Sequence, residues 1–246
     1  MPPIRLLPFA AASGADNMAR DEALLHAASD RGVASLRFYT WTEPTLSLGY
    51  FQPSADRLTD TALSQMAWIR RATGGAAIVH DPAHEITYSL ALPPGDEWQP
   101  RGEQWICRMH YVVRDVLKSL GVPARSVVCG EEQKLGPVLC FRHHTPGDLT
   151  VDGHKVAGSA QRKWKGAMLQ HGSILFSRSP LAESLPGIAE LSGVTITKAI
   201  REPILAEFAK QTGWTLEPGD WTADELADAG RIAAEKFASP EWNEKR

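Results

Sequence analysis

Hydrophobic and polar positions change period several times along this chain, and the changes divide it into elements. Leu36 to Trp41 (LRFYTW) alternates and is rich in β-favouring side chains, and so is Thr45 to Phe51 beyond the turn residue Pro44. Ile4 to Pro8 and Glu85 to Leu92 read as further strands, and Ile69 to Val79 as one broken by Thr73-Gly74-Gly75. From Asp16 to Ser29, Met18, Ala19, Ala23, Leu24 and Ala27 recur at helical spacing. A longer stripe runs from Arg101 to Leu120 through Trp105, Met109, Val112, Val113, Val116, Leu117 and Leu120, with Gly121 as its cap. Arg125 to Cys129 predicts a short strand, Glu131 to Gly136 a polar loop, and Pro137 to Phe141 another apolar run. Helical patterns occupy Leu181 to Leu191, Ile200 to Thr212 and Ala223 to Ala238, the last with Thr222 as N-cap.

The densest signal is Asp148 to Phe176 (DLTVDGHKVAGSAQRKWKGAMLQHGSILF), which predicts three short strands joined by two tight turns. Asp152-Gly153 and Lys165-Gly166 supply the turns, since Asp and Gly tolerate the positive φ of a two-residue hairpin. Val156, Ala157, Gly158, Ser159 and Ala160 are small, so a ligand can lie close against the backbone there. Lys155 enters that strand and Arg162 leaves it. A cation followed by a floor of small residues suits a carbonyl or carboxylate whose tail runs along the sheet. The tandem glycines 74 and 75 beside Arg71 suggest a second place where a ligand meets backbone N–H groups.

Composition narrows the class. At 246 residues with no repeat or low-complexity linker, the chain reads as a single domain over 1–246. The expected fold class is α/β (α+β): a largely antiparallel mixed sheet flanked by helices. No apolar run reaches the roughly 18 residues of a membrane span. The N-terminus makes a poor signal peptide, so a cytoplasmic, non-membrane protein is expected. A net charge of -3 excludes a globally basic nucleic-acid binder. Arg70-Arg71 and Arg162, Lys163, Lys165 concentrate cations locally, either as solvated edges or as a docking patch for an acidic partner. Three cysteines without metal-ligand spacing (Cys107, Cys129, Cys140) argue against a disulfide framework or a zinc site.

RRATGGAAIVHD (Arg70 to Asp81) followed by EITYSLALP resembles the lipoate–protein ligase A and octanoyltransferase superfamily, cofactor-transferase relatives of biotin–protein ligase. DGHKVAGSAQRKWKGAMLQHGSILF resembles its lysine-bearing hairpin, and NMARDEALL, RFYTWTEPTLSLGYFQ and SPEWNEKR match too, so the resemblance spans nearly the whole chain. It implies one of two chemistries. A ligase activates free lipoate with ATP (and Mg) as an acyl-adenylate. An octanoyltransferase takes the acyl group from octanoyl-acyl carrier protein, and one branch holds it on a cysteine, with no cofactor required. Leu139-Cys140-Phe141 resembles the position of that branch's nucleophile, and the chain ends without the accessory C-terminal domain of many ligases. Both features favour transfer to a lipoyl-accepting domain, such as glycine cleavage H protein or a 2-oxoacid dehydrogenase E2 domain.

On this reading Cys140 forms the thioester and Lys155 stabilises charge on the reacting carbonyl, with His143 or His144 as a weaker candidate base. Arg71, Gly74, Gly75, His80, Gly158, Ser159, Ala160 and His171 shape the substrate channel. Simpler roles are assigned elsewhere. Cys107 and Cys129 are small core side chains, Asp81 is structural, and Trp41, Tyr50 and Tyr88 are core aromatics rather than channel walls. A non-catalytic binder of acyl domains is the remaining alternative from another class.

Overall fold

The computed structural model describes residues 3–99, 101, 102, 104–134 and 138–246. A mixed sheet forms its centre. From edge to edge it runs through Leu216–Pro218, Ile4–Leu6, Ser35–Trp41, Glu85–Leu92, Ala167–Leu175, His154–Trp164, Leu149–Val151 and Arg125–Ser126. Ile4–Leu6 is parallel to both neighbours, and Ala10–Ala12 pairs parallel with Ser35–Trp41; every pairing from Ser35–Trp41 onward is antiparallel. The predicted fold class is therefore the observed one. A smaller sheet sets Thr45–Leu48 between Ala67–Arg70 and Ile78–His80.

Successive side chains of a strand point to opposite faces, and here the two faces have different work. Leu36, Phe38, Ile86, Tyr88, Leu90 and Ile174 join the main core with Trp105 and Met109 of the helix Trp105–Ser119 and Phe208 of Arg201–Thr212. On the opposite face the helix Gly14–Arg31 packs Leu24, Leu25 and Ala28 over Ala91, Ala167 and Leu169. That same face carries Arg37, Tyr39, Trp41, Thr87, His171 and Ser173, which are polar or aromatic and all buried. A sheet face that buries so many hydrogen-bonding groups is organised around something other than a simple core.

Both predicted hairpin turns are present, with positive φ at Asp152, Gly153, Lys165 and Gly166. Thr222 caps Ala223–Ile232 in a capping box with Glu225. Other expectations need correction. Leu181 to Leu191 is two short pieces, Pro180–Ala182 and Ile188–Ser192, because Pro186 disfavours helix at its predecessor. Gly187 also packs so closely that a Cβ there would stand 2.4 Å from the Ser177 nitrogen. The strand from Thr45 stops at Leu48 rather than Phe51. The polar loop after Cys129 contains a two-residue strand, Gln133–Lys134, paired with His143–His144. Residues 135–137 lie outside the described part. Beyond them the apolar run forms a bridge from Leu139 to Ala77 and a 3-10 turn, Cys140–Arg142, instead of a strand. The strands Ala10–Ala12 and Leu216–Pro218 escaped the pattern because three residues carry no period.

Candidate active site

Register aligns two rows of residues across the sheet, small at the Gly158 and Ala160 end. Gly158 pairs with Ser173, Ser173 with Thr87 and Thr87 with Tyr39; the next row runs Ala160, His171, Ser89, Arg37. Over these rows opens a mostly apolar pocket. Gly158, Ser159 and Ala160 line one side, Arg71, Gly74 and Gly75 another, and His80, Trp41 and His171 the interior, with Cys140 and Phe141 beside them. The predicted channel residues therefore converge on one cavity, and the predicted nucleophile is on its wall. Trp41 is a wall as well as a core residue, contrary to expectation, while Tyr88 is fully buried in the main core. Tyr50 is only partly buried, packed near Trp242 and Lys245.

Lys155 reaches this wall by a local irregularity. Leu149 pairs with Ala157 but Thr150 with Lys155, so Val156 is an extra residue in the strand. Such a bulge resets the alternation and re-aims a side chain, placing Lys155 and Gly158 on the same face. The Lys155 ammonium has three N–H bonds and three partners: Asp148 Oδ2 at 2.8 Å, the His143 carbonyl at 3.3 Å and Cys140 Sγ at 3.6 Å. Burial opposes its charge, but Cys140 and Asp148 outweigh that and raise its pKa. It is thus a fixed cation at neutral pH. Asp148 is itself set by the backbone N–H and hydroxyl of Thr145, at 2.8 and 2.9 Å. Gly158 makes the arrangement possible, since a Cβ there would lie 2.3 Å from Lys155 Cε.

Cys140 begins its 3-10 turn with its N–H on the Ala77 carbonyl at 2.7 Å, which ties it to the glycine loop. Arg71 holds that loop from inside. It donates to the carbonyls of Ser47 (2.8 Å), Gly74 (2.9 Å) and Ala76 (2.7 Å) and to Ser47 Oγ (3.1 Å). Burial pulls its pKa down to about 10, so it too stays charged. Gly75 takes φ +90°, and Gly49 approaches so closely that a Cβ on it would meet the Gly75 oxygen at 1.7 Å.

Two polar networks fix the interior. His171 Nδ1 lies 2.9 Å from Asp21 Oδ2 and its Nε2 lies 2.7 Å from Thr73 Oγ1. Asp21 also receives Arg37 at 2.7 Å and the Tyr39 hydroxyl at 3.1 Å. The helix Gly14–Arg31 is thereby wired through His171 to the start of the glycine loop. His80 stacks on Trp41 with centroids 4.0 Å apart and meets Ser47 Oγ at 2.9 Å. Burial lowers its pKa, leaving the ring neutral. Beneath it Glu85 accepts from Thr87 and Ser173, and Thr87 Oγ1 accepts from Trp41 Nε1 at 3.1 Å.

Several expectations change. His143 contributes its carbonyl to Lys155, and His144 is buried with its pKa lowered by burial. Arg70 and Arg71 are buried, so they are not part of a docking surface: charge can be counted from sequence, but burial cannot. Arg162 does meet their segment, donating to the Ala72 carbonyl at 3.0 Å, while Lys165 pairs with Asp30. Asp81 is structural, holding the Ala83 N–H and the Ser179 hydroxyl. Cys129 is exposed and Cys107 half-buried, so neither is the core side chain expected. Sequence reasoning missed Asp148, Asp21, Arg37, Thr73 and Gly49, whose partners are all set by tertiary contacts.

A family model of the lipoyl protein ligase A/B catalytic domain matches residues 13–199. An octanoyltransferase LipM from Kyrpidia tusciae is 35% identical, with 98% of each chain covered. LipM from Bacillus subtilis is 31% identical over the same shares. Among solved structures, a putative lipoate protein ligase from T. acidophilum superposes with TM-score 0.79 at 23% identity over 100% of both chains. A lipoate-protein ligase A bound with ATP gives 0.77 at 21% over 99% of both. At these identities the superpositions speak to the fold. The sequence matches go further: this chain belongs to the lipoyl protein ligase A/B catalytic-domain family.

Proposed function

We propose that the chain is an octanoyltransferase of protein lipoylation, working through a thioester on Cys140. The observation that carries the mechanism is the Lys155 ammonium 3.6 Å from Cys140 Sγ, at the wall of a mostly apolar pocket. The thiolate is the nucleophilic form of cysteine, and a fixed ammonium hydrogen-bonded to sulfur is the partner it needs. In the first half-reaction Cys140 sulfur attacks the octanoyl carbonyl of an acyl carrier protein thioester. The new carbon–sulfur bond forms, the old one breaks, and the carrier's thiolate leaves and takes up a proton. One thioester replaces another, so no ATP or metal enters this route. In the second, the neutral amine of a lysine on a lipoyl-accepting domain attacks the Cys140 thioester. The amide forms, the amine sheds its proton, and sulfur leaves as thiolate beside Lys155. In both halves the Lys155 N–H that faces sulfur can turn to the developing oxyanion.

Family membership supports action on lipoyl-accepting proteins; glycine cleavage H protein and E2 domains are the proposed acceptors. No helix among the described residues is long and apolar enough to cross a membrane, and a cytoplasmic location is part of the proposal. The test is intact mass after mixing with octanoyl-acyl carrier protein without ATP, beside Cys140→Ala. A hydroxylamine-labile octanoyl adduct absent from the variant is the expected result. No adduct, but acceptor modification once lipoate and ATP are supplied, would make the chain a ligase and Cys140 a structural residue.

A further inference from the structure

The run SPEWNEKR at residues 239–246 has no part in the chemistry above, yet it is bound to Arg70, next to the pocket residue Arg71, by a dense set of contacts. Trp242 Nε1 donates to the Arg70 carbonyl at 2.7 Å. Asn243 accepts twice from Arg70, its Oδ1 from the backbone N–H at 2.8 Å and its carbonyl from Nε at 2.9 Å. Arg70 is a fully buried arginine whose charge is met by carbonyls rather than by a carboxylate: Nη1 donates to Gln52 at 2.6 Å and Gly49 at 3.0 Å. Burying a guanidinium without a counter-ion is costly. The return is that one side chain gathers the 49–52 turn and the Pro240–Asn243 helix into one unit.

That turn touches both sides of the pocket. Tyr50 N–H donates to the Thr73 carbonyl at 2.9 Å, and Gly49 lies against Gly75, so one side of the turn braces the glycine loop. Gln52 Nε2 donates to the Val138 carbonyl at 3.2 Å, two residues before Cys140, so the other braces the cysteine segment. From these contacts we infer that Trp242 and Asn243 are positioning residues: acting through Arg70, they hold the glycine loop and the Cys140 segment at the separation the acyl chain requires. They touch no reacting atom. With the strap loosened, Arg70 admits water, the 49–52 turn loses its anchor, and the pocket widens while Lys155, on the strand His154–Trp164, and its partner Asp148 stay in place.

The inference rests on the octanoyl-transfer reading, and the experiment separates the two. Asn243→Ala and the milder Trp242→Phe, which loses the indole N–H and part of the bicyclic ring but keeps an aromatic ring beside Phe237, are compared with the native chain. The readouts are acylation kinetics with octanoyl-pantetheine and amide hydrogen exchange. Loss of one or two such hydrogen bonds is expected to raise KM for the thioester ~10-fold, with kcat falling too to the extent that the Cys140 segment shifts from Lys155. Exchange should quicken in 71–77 and 49–52 but not in His154–Trp164. Unchanged KM and unchanged loop exchange in both variants would overturn the inference, and so would acceleration spread evenly over the sheet, the mark of a merely structural role. If the native chain forms no octanoyl adduct, the transfer reading fails; the exchange pattern still decides the strap.

Discussion

Gly158→Ala perturbs the contact between Lys155 and Cys140 without replacing either residue, at a position that also lines the pocket. The added Cβ would stand 2.3 Å from Lys155 Cε and 2.7 Å from Nζ, with Asp148 Oδ1 at 3.2 Å. Carbon atoms settle near 3.5 to 4.0 Å, so the end of the lysine must withdraw by about 1 Å. A lysine terminus is flexible, and the ion pair with Asp148 can follow it. The cost in stability is therefore that of one methyl in a tight site, about 1–3 kcal/mol. The Nζ–Sγ contact has no such slack: at 3.6 Å it is already long, and withdrawal breaks it. Misplacing a charge-stabilising group by this much costs on the order of 100-fold in rate. The assay is single-turnover formation of the octanoyl adduct by intact mass, with a melting curve on the same sample. Lys155→Met should lose a similar rate but about 3–5 kcal/mol of stability, because Asp148 is left buried and unpaired. A folded Gly158→Ala enzyme acylated at the native rate would refute the assignment of Lys155 to the reacting sulfur.

Acidification should destabilise the fold. His80 and His110 are buried with pKa values lowered mainly by desolvation, so below about 6.5 the unfolded chain takes up protons that the folded one refuses. Stability is thus full above 6.5 and falls as pH drops toward the folded values; a melting temperature no lower at pH 5.5 than at 7.5 would contradict this. Thr222→Ala removes the cap of Ala223–Ile232, where neither Thr222 nor Glu225 lines the pocket, and should cost about 1 kcal/mol by denaturant titration with acylation kinetics unchanged. Lys163 is exposed and Arg162 half-buried near the end of the strand His154–Trp164, before its hairpin turn. Acylation by the acidic carrier should slow with added salt while acylation by octanoyl-pantetheine does not, and equal salt dependence for both donors would remove this edge from the docking surface.

What could be read from the sequence is what local chemistry dictates. Asp152-Gly153 and Lys165-Gly166 demand their turns whatever surrounds them, and the turns fix the register that brings Gly158 beside Ser173 and Thr87. Small residues on one strand and tandem glycines on another therefore announced the pocket. What escaped was set at a distance. Val156 looks like an ordinary strand residue, and only pairing with Leu149–Val151 makes it a bulge. Arg70 and Arg71 look like a basic edge until the 49–52 turn and the glycine loop close over them. Asp148 looks like the start of a strand, and nothing local marks it as the counter-charge of Lys155.

In the proposed cycle that counter-charge lets a cation remain beside sulfur through both halves. A sulfur that reacts as thiolate carries no charge once acylated, and a buried ammonium paired with it alone would be stranded at that moment, at a cost of several kcal/mol. With Asp148 at 2.8 Å the Lys155 charge is balanced in either state, and its raised pKa keeps the proton in place. Acylation then changes only the direction of one N–H, from sulfur to the carbonyl oxygen. The same ammonium can also stabilise the departing thiolate when the acceptor lysine attacks. On the proposed mechanism Asp148 is for this reason as much a part of the transfer machinery as the cysteine, although it touches no acyl group.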